Sequence, residues 1–520
     1  MICVTIARER HRHVLAEHHH LAKEGADLVE IRLDYIQTRI DMKRLFHDRP
    51  TPIVATYRRE QDGGLYKGPE ANRIIMLRNA IVEGVDYVDL EEDAAAQIPR
   101  YGKTKRIISY HNFEETPEDL ESIFERLASL DPDVVKICTM ANSLEDSWRM
   151  LDFVERKSKV LPTVGFCMGD YGIPSRVLCQ AFGSPFTYAC VDAKSAAAPG
   201  QIPFDVLKRQ YRADQLKRDV RVYGVVADPV GHSLSPLIHN SAFASEQRND
   251  CVYLPFRVPA GQLGRFLNTT RQILNLQGLS VTIPHKVDIL PFLTQADTSV
   301  QIIGACNTVR IDGERLMGTN TDYQGAMSSI ADVLKDDILR HLDWNEPNDD
   351  PETGKPIATP LEGRSALVLG SGGVGKALAF GLARRGAEIF LTDAQFDRAE
   401  QLADRLTAAG YTAHAVEWKD RHSTGAQFLL NCTPIGMSPK VSESPFDEAS
   451  LNASMVVFDA VYNPEETLLL RQAKNCGCAT ISGQFMFVLQ AALQYKYFLD
   501  EEPPVDLMRK VVQKALAPEW

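Results

Sequence analysis

The sequence predicts an α/β protein in which a closed (β/α)8 barrel precedes a two-lobed α/β module. Eight short, β-branched apolar runs alternate with amphipathic stretches in the first two hundred residues. A new α/β pattern begins near Val220, and a strand, a glycine-rich turn and a helix follow from about Ser365. Eight β-α units are typical of a TIM barrel, and the later strand-turn-helix is typical of a Rossmann-type lobe.

The eight apolar runs of the barrel follow one another at the spacing of β-α units. They are ICVTIA from Ile2, LVEIRLDY from Leu28, PIVATYR from Pro52, YVDLEE from Tyr87, RIISYH from Arg106, VVKICTM from Val134, PTVGFCM from Pro162 and FTYACV from Phe186. A charged segment from Leu207 has no strand pattern, and we interpret it as the last helix and a linker. The predicted barrel domain therefore covers residues 1–212.

The second module divides into two predicted lobes. We expect the first over residues 220–342 and the dinucleotide-binding lobe over 362–483, with the helices after residue 484 returning to the first lobe. The stretch from Asp343 to Leu361 is acidic and proline-rich, which predicts a solvated loop between the lobes.

Composition narrows the classes of function. The chain has 520 residues, enough for two or three domains. Its formal net charge of -12 argues against general binding to nucleic acid or acidic membranes. No apolar run reaches the roughly 18 residues of a membrane span, and the first residues do not resemble a signal peptide. We expect a cytoplasmic protein that keeps its ten cysteines reduced.

Ionisable side chains occur in or just after the strands of the predicted barrel, where barrel enzymes have their active sites. Lys136 is flanked by Val135 and Ile137, and apolar surroundings that lower its pKa would let it form an imine with a ketone. His111 can transfer protons, and Glu91 is available to orient it. The other members of this set are Glu30, Arg32, Arg58 and Arg176. An imine-forming lysine beside a proton-abstracting histidine predicts elimination of water next to a ketone.

The pieces EIRLD, ATYR, DLEED, SYHNF, VVKICTM, PSR and AAPGQ give this module a resemblance to type I 3-dehydroquinate dehydratases over its whole length. The resemblance implies that Lys136 forms the imine with 3-dehydroquinate and that His111 removes the C2 proton and helps to expel water. It also implies that the substrate is held by Glu30, Arg32, Arg58, Arg176 and Gln201. The family commonly has a serine where this chain has Ala197, and we expect Ser195 to be near enough to compensate.

Three further motifs carry the chemistry of the second module. GHSLSPLIHN presents Ser233 and Ser235, whose hydroxyls and backbone can bind a carboxylate, although a plain helix cap would look the same. GLSVTIPHK places Lys286 just past a strand, and GTNTDYQG supplies Asp322. With the amide of Asn307 nearby in the sequence, a lysine-aspartate pair fits binding of a cyclic polyol and proton delivery to an alkoxide.

GSGGVGK lies between an apolar strand and a helix, which is the context that a dinucleotide pyrophosphate site requires. The blocks NCTPIGM and VYNP end later strands, and GQFMFVLQ opens what we expect to be the last helix. The residues assigned to cofactor binding are Gly370, Gly372, Gly373, Gly375, Asp393, Arg398, Thr433 and Gly483.

These motifs, in this order, resemble shikimate dehydrogenase over nearly all of residues 220–520, which implies a two-lobed dehydrogenase. The resemblance implies that Ser233 and Ser235 bind the substrate carboxylate and that Lys286 and Asp322 are catalytic. It adds four residues that line the substrate site, namely Thr282, Asn307, Tyr462 and Gln490. Hydride would pass between a nicotinamide and the ring carbonyl of the substrate.

The cofactor is predicted to be NAD or NADP, with NAD favoured. Family members that use NADP usually carry an arginine in the segment where this chain has Asp393 and Ala394. A carboxylate there can accept both ribose hydroxyls of NAD and would repel a 2′-phosphate. Arg398 could still reach a phosphate, and a carboxylate that only caps the next helix is the alternative interpretation.

The two resemblances together predict a bifunctional enzyme that dehydrates 3-dehydroquinate and reduces the 3-dehydroshikimate formed to shikimate. Two alternatives stay open: a catabolic enzyme that acts on quinate, and a sensor that has lost catalysis. The expected partners are these small molecules, without nucleic acid or membrane, in a monomer or homodimer. No metal site is predicted, since His18 to His20 fit a solvated helix face.

Overall fold

A computed structural model describes residues 1–231, 233–334 and 361–517. Nearly all of the loop predicted at 343–361 therefore lies outside the described residues. Internal contacts divide the chain into two compact units. The first contains Met1–Ser233 and Gln247–Leu276, and the second contains Leu234–Glu246 and Gln277–Trp520. The three domain limits expected from the sequence stay a prediction.

The barrel strands all pair in parallel, in the order β7-β6-β5-β4-β3-β2-β1-β8-β9. Their bounds are β1 Ile2–Ile6, β2 Leu28–Arg32, β3 Ile53–Thr56, β4 Tyr87–Glu91, β5 Lys105–Asn112, β6 Val134–Met140, β7 Thr163–Met168, β8 Thr187–Cys190 and β9 Ile202–Pro203. All eight predicted runs are strands. Most strand residues are buried on both faces, because one face fills the barrel and the other lies under helices.

Seven helices alternate with these strands. They are α1 His11–Lys23, α2 Met42–Phe46, α3 Glu70–Val82, α4 Glu92–Gln97, α5 Leu120–Ala128, α6 Leu144–Lys157 and α7 Ile173–Leu178. The helix predicted from Leu207 is only a short π-helical segment, Val206–Gln210. His18 is buried in α1 and bonds to Thr51 (2.8 Å), so the solvated-face interpretation is wrong for this residue and holds for His19 and His20.

The first unit also holds the parallel strands β10 Arg221–Ala227 and β11 Cys251–Arg257. The second unit begins with α8 Ser235–Ser245, and the first unit's last helix is α9 Leu263–Ile273. In the second unit β14 pairs antiparallel with both β12 and β15, and β13 pairs in parallel with β15. The elements of this region are β12 Leu276–Val281, β13 Gln295–Ala296, α10 Thr298–Ile303, β14 Thr308–Asp312, β15 Arg315–Thr319 and α11 Thr321–Leu334.

A second parallel sheet in this unit has the order β18-β17-β16-β19-β20-β21. Its elements are β16 Ser365–Leu369, α12 Gly373–Arg384, β17 Glu388–Thr392, α13 Phe396–Ala408, β18 Ala413–Ala415, β19 Phe428–Asn431, β20 Val456–Asp459, α14 Leu468–Asn475, β21 Ala479–Ser482, α15 Gly483–Leu499 and α16 Val505–Leu516. The strand order is that of the doubly wound Rossmann fold. The predicted fold class, a TIM barrel followed by a dehydrogenase fold with a Rossmann-type sheet, is confirmed. The helix that begins at Gly483 is followed by α16 and is not the last, contrary to expectation.

The α16 helix ends the described chain. Among the helices that the structure describes, none is long and apolar enough to cross a membrane.

Candidate active sites

Lys136 lies in the middle of β6 and points into a charged cluster. Its Nζ is 2.9 Å from Oδ2 of Asp89 and 3.9 Å from Oε1 of Glu30, and it lies 4.0 Å from the centre of the Tyr188 ring. Burial opposes the charge, but Asp89 and Glu30 outweigh it and raise the pKa of Lys136. The prediction of apolar surroundings that lower this pKa is therefore wrong. Val135 and Ile137, the sequence neighbours on which it rested, lie on the opposite face of the strand.

Asp89, which the sequence analysis missed, is the centre of this cluster. It is buried in the middle of β4 and accepts hydrogen bonds from Lys136, from Ser109 Oγ (2.6 Å) and from Arg58 Nη2 (2.9 Å). Burial alone would raise the pKa of Asp89, but Arg58 and Lys136 hold it well below its usual range. The sequence could have indicated Asp89, because side chains two residues apart in a strand, such as Asp89 and Glu91, point to the same face.

The role predicted for Glu91 is also wrong. Its carboxylate accepts from Arg58 Nη1 and from Arg73 Nη1, each at 2.7 Å, and so ties two arginines together. His111 Nδ1 is buried and has no hydrogen-bond partner among the described residues. Glu91 therefore holds Arg58 in place and does not orient His111.

His111, near the end of β5, lies at the mouth of the barrel. Its ring stacks on Phe113 with 6.3 Å between ring centres. Burial, together with the positive charges of Arg58 and Lys136, lowers the pKa of His111 well below its usual value. The imidazole is thus neutral at physiological pH and able to accept a proton.

One cavity brings the predicted dehydratase residues together. Those that line it are Glu30, Arg32, Arg58, His111, Lys136, Arg176 and Gln201. Asp62 and Tyr188 also line it, and neither was predicted. Their positions gave no signal, because one lies in the irregular loop after β3 and the other in an apolar strand.

The loop that carries AAPGQ borders the same cavity. Ala197 lines it, and the Ala197 N–H donates to Gln201 Oε1 (2.8 Å). Ser195 instead caps a turn with Asp192, to whose backbone oxygen its hydroxyl donates at 3.0 Å. Ser195 does not line the cavity, so the expected compensation for Ala197 is absent here.

In the second unit, the two residues predicted to be catalytic form an ion pair. Lys286 Nζ lies 2.6 Å from Oδ2 of Asp322, which is buried in the first turn of α11. The dipole at the start of a helix favours a carboxylate in its first turn.

Asn307 connects this pair to a second predicted residue. Its Nδ2 donates to Thr321 Oγ1 (3.0 Å) and to Gln490 Oε1 (3.3 Å). Its Oδ1 accepts from the Thr321 N–H at 2.8 Å, so this side chain also caps the helix that carries Asp322. The amide thus links Gln490 of α15 to the start of the helix that carries Asp322.

The remaining predicted substrate residues lie in separate segments of the chain. Ser235 is buried at the start of α8, whereas Ser233 belongs to the first unit. Thr282 directly follows β12, and its carbonyl accepts from the His285 N–H (2.8 Å). Tyr462 stacks on Phe487 with 4.7 Å between ring centres, which orients the phenol.

The glycine-rich turn is too tightly packed for a side chain at Gly375, whereas a Cβ on Gly372 would have nothing within 4 Å. Gly370 has a positive φ of 94°, and a Cβ on Gly375 would lie 1.8 Å from the Gly370 carbonyl oxygen. A Cβ on Gly373 would lie 2.9 Å from Lys286 Cδ, and one on Gly483 would meet the backbone of Ala460 at 2.6 Å. Helix α12 begins at Gly373, so its first N–H groups are available to a pyrophosphate.

Asp393 directly follows β17 and holds this turn. Its Oδ2 accepts from the Ser371 N–H (2.7 Å) and its Oδ1 from the Gln395 N–H (2.9 Å). Arg398 lies in the first turn of α13, three residues after Gln395. The carboxylate is therefore positioned beside the glycine-rich turn, with a guanidinium one helical turn further along the chain.

Models of known protein families match three parts of the chain. Residues 2–218 match type I 3-dehydroquinase, 225–309 the shikimate dehydrogenase substrate binding domain, and 486–513 the shikimate 5'-dehydrogenase C-terminal domain. A shikimate dehydrogenase (NADP(+)) of Bacillus subtilis is 34% identical over 300 residues, covering 56% of this chain and 96% of that protein. A crystal structure of a shikimate dehydrogenase in complex with NADP+ matches with a TM-score of 0.50 and 29% identity, covering 58% of this chain and 98% of its own.

One similarity extends over both parts. A protein of Arabidopsis thaliana named bifunctional 3-dehydroquinate dehydratase/shikimate dehydrogenase, chloroplastic, is 35% identical over 528 residues, covering 99% of this chain and 84% of that protein. The order of the two enzymes in that name is the order of the matched families along this chain. The chain therefore belongs to the family of bifunctional 3-dehydroquinate dehydratase/shikimate dehydrogenases.

Proposed function

We propose that in this enzyme of the shikimate pathway, which joins a 3-dehydroquinate dehydratase to a shikimate dehydrogenase, Lys136 and His111 carry out the dehydration. The observation that carries the proposal is one cavity lined by a buried lysine and a neutral histidine. The lysine amine, once deprotonated, attacks the ring ketone, and loss of water gives an iminium ion. Asp89, at 2.9 Å from Nζ, balances that positive charge.

The iminium makes the neighbouring C2 proton acidic, and His111 removes it because its imidazole is neutral. The resulting imidazolium returns this proton to the leaving hydroxyl group, which departs as water. Water then hydrolyses the imine and frees Lys136 and 3-dehydroshikimate. The net change is loss of one water from 3-dehydroquinate, so the lysine and the histidine both end in their starting states.

Charged and amide side chains around the cavity hold the substrate. Arg176 lies over the Phe166 ring (4.5 Å) and presents its guanidinium to the cavity, where it is suited to a carboxylate. Gln201 is fixed by the Ala197 N–H, and its Nε2 donates to Thr5 Oγ1 (3.2 Å). Glu30, Arg32 and Arg58 offer groups for the ring hydroxyls.

Borohydride trapping tests the imine. With 3-dehydroquinate present, reduction should add the mass of one ligand to the peptide that contains Lys136. The matched control is Lys136→Arg, which keeps the positive charge beside Asp89 but cannot form an imine and should stay unlabelled. Label on another lysine of the wild-type protein contradicts the mechanism.

For the second reaction, we propose that Lys286 and Asp322 exchange a proton with the substrate oxygen. Their 2.6 Å ion pair carries this assignment. A bound nicotinamide cofactor supplies the hydride for the ring carbonyl. Lys286 donates a proton to the oxygen that becomes a hydroxyl, and Asp322 stabilises the charged lysine. Ser233, Ser235, Thr282, Asn307, Tyr462 and Gln490 hold the substrate.

The residues of the glycine-rich turn fit a dinucleotide. Gly370, Gly372, Gly373 and Gly375 allow close approach of the pyrophosphate to the start of α12, with Thr433 and Gly483 at neighbouring strand ends. We propose a preference for NAD, because the Asp393 carboxylate is fixed beside this turn by Ser371 and Gln395. A similar protein of Bacillus subtilis is named as an NADP(+) enzyme, so the preference of this chain has to be measured.

The preference is measured as kcat/KM for NAD and for NADP with shikimate. The kcat/KM value should be higher for NAD than for NADP. Asp393→Asn should bring the two values closer together, because it removes the charge that repels a 2′-phosphate. Arg398→Gln should leave the NAD value nearly unchanged and lower any activity with NADP. A tenfold preference of the wild-type enzyme for NADP would contradict the proposed preference for NAD.

The proposal also includes the domain limits, the cellular location and the oligomeric state. The dehydratase occupies residues 1–212, the substrate-binding lobe 220–342 with the helices after 484, and the cofactor lobe 362–483. The enzyme works in the cytoplasm as a monomer or homodimer. Light scattering of the purified chain should give a mass of one or two copies, and a larger assembly contradicts this.

A further inference from the structure

A buried polar pair joins two strand ends of the Rossmann sheet. Asn431 ends β19 and Asp459 ends β20, and the two residues are direct partners in the parallel ladder. Both side chains are fully buried, and Asn431 Nδ2 donates to Asp459 Oδ1 at 3.0 Å. The pair therefore lies at the carboxyl edge of the sheet, where ligands of this fold bind.

Hydrogen bonds with Asn431 hold the segment that carries Thr433. Its Oδ1 accepts from the Thr433 N–H (3.0 Å) and from Thr433 Oγ1 (2.6 Å). Its Nδ2 also donates to the Ile435 carbonyl (3.2 Å). The methyl group of Thr433 in turn packs against Gly370, where a Cβ would lie 3.1 Å from it. One side chain thus fixes a loop on the cofactor side of the sheet.

Hydrogen bonds to Asp459 hold the segment that carries Tyr462. Its Oδ1 accepts from the Val461 N–H (3.0 Å), and its Oδ2 accepts from Thr467 Oγ1 (2.6 Å). Thr467 begins α14, so the loop between β20 and α14 is held at both ends. Tyr462 directly follows Val461 and stacks on Phe487.

Asp459 accepts hydrogen bonds from Asn431, Thr467 and the Val461 N–H, and all three donors are neutral. Burial raises its pKa to about 6, although these hydrogen bonds act in the opposite direction. Keeping a carboxylate in such a place is costly, and a purely apolar strand end would avoid that cost. Hydrogen bonds at both carboxylate oxygens point to a role in holding the loops that make them.

We propose that Asp459 and Asn431 are positioning residues that set the cofactor-side and substrate-side loops of the dehydrogenase together. The inference rests on the proposed placement of Thr433 at the cofactor and Tyr462 at the substrate. Because Asp459 Oδ1 is shared by Asn431 and Val461, a displacement of either loop is passed to the other. Neither Asp459 nor Asn431 needs to touch a ligand.

The test compares KM values in a set of variants of the full chain. Asp459→Ala removes every acceptor and should raise KM for both shikimate and the nicotinamide cofactor by about fivefold or more, as expected for lost buried hydrogen bonds. Asp459→Asn keeps an acceptor for Val461 and Asn431 and can donate to Thr467, so its KM values should stay within about twofold. Thr467→Val loosens only the substrate-side loop and should raise KM for shikimate alone.

Two internal controls separate positioning from general damage. The dehydratase rate of each variant reports on the barrel and should not change. Leu406→Ala, in the core of α13, destabilises the same lobe without touching the pair, so it should lower the melting temperature and leave both KM values unchanged. If Leu406→Ala raises both KM values as much as Asp459→Ala, or if Asp459→Ala leaves them unchanged, the inference is overturned.

Thr433→Ala and Tyr462→Ala distinguish this failure from that of the proposed site. If both variants have normal KM values, the placement of these residues is wrong and the inference falls with it. If they raise KM for cofactor and shikimate respectively while Asp459→Ala does not, only the inference falls. Should Asp459→Ala fail to fold, the Thr467→Val result decides alone, because a normal KM for shikimate in that variant overturns the inference.

Discussion

The two proposed active sites each place a lysine beside an aspartate, but the surroundings of the two pairs differ. Lys136 and Asp89 lie among further charges, with Glu30 3.9 Å from Nζ and Arg58 bonded to the same aspartate. Lys286 and Asp322 form an ion pair with each other, and the hydrogen bonds of Asn307, which caps the helix of Asp322, are made with neutral amides and hydroxyls.

The difference follows from what each lysine must do. An imine-forming lysine becomes covalently bound and carries its charge through the reaction, so fixed counter-charges must accompany it. A lysine that only passes a proton to a substrate oxygen needs one partner and access to the substrate. The comparison predicts that the charge cluster of the barrel is more sensitive to substitution.

The largest effect is expected for Lys136→Ala. Without the amine no imine forms, so dehydratase turnover should fall below detection, while shikimate oxidation by the same protein stays normal. The two rates are measured on one preparation, as enone absorbance and as reduced nicotinamide. Residual dehydration at more than a trace level would show that the covalent route is dispensable.

Lys286→Ala or Asp322→Ala should lower shikimate oxidation by a factor of about 10² or more, as is typical for loss of an acid–base group. Dehydratase activity should stay normal, because its cavity contains neither residue. Melting temperatures of the variants exclude unfolding as the cause. If Lys286→Ala stops dehydration in a folded chain, the two reactions do not have separate sites.

Asp89→Asn tests the charge cluster. Burial lowers the pKa of Lys136 and Asp89 raises it, so removing the carboxylate leaves burial to dominate and the pKa falls. The pH at which an amine reagent modifies Lys136 should therefore move downward by roughly one unit or more. An unchanged or upward-moving midpoint, read from peptide masses, contradicts the proposed charge balance.

The smallest effect is expected at the loop that borders the barrel cavity. Ala197→Ser restores a hydroxyl where the cavity is lined by a methyl group, and one added hydrogen bond of about 1 kcal/mol should lower KM for 3-dehydroquinate up to about fivefold. Ser195→Ala is the matched control and should change KM little, because that hydroxyl is used within its own turn. A higher KM in Ala197→Ser shows that the loop has no room for the hydroxyl.

Much of this architecture could be predicted from the sequence. Strand periodicity and glycine spacing are local properties, and they located all eight barrel strands and the glycine-rich turn. Motifs also selected residues that the structure brings together, such as Lys286 with Asp322. The wrong predictions for the surroundings of Lys136 and for the role of Glu91 concerned contacts between different strands and helices. Which carboxylate faces Lys136 depends on the register of β4 against β5 and of β5 against β6, and which arginine engages Glu91 depends on how β3 and α3 lie against β4.

The environment of Lys136 shows the physical reason. Its sequence neighbours are apolar, but in a strand the adjacent side chains point to the other face. Its actual neighbours come from β2 and β4 through side chains that reach across the barrel. Only the three-dimensional structure reveals that the charge of this lysine is stabilised.

Gly373 links two properties of the dehydrogenase that are usually considered separately. The absent Cβ leaves space for the aliphatic part of Lys286, which would otherwise be approached to 2.9 Å. A change at this glycine, made to alter coenzyme choice, would push aside Lys286, which we propose to deliver the proton. Redesign of coenzyme specificity in this enzyme is therefore constrained by its acid–base chemistry, and changes at Asp393 and Arg398 offer the more independent route.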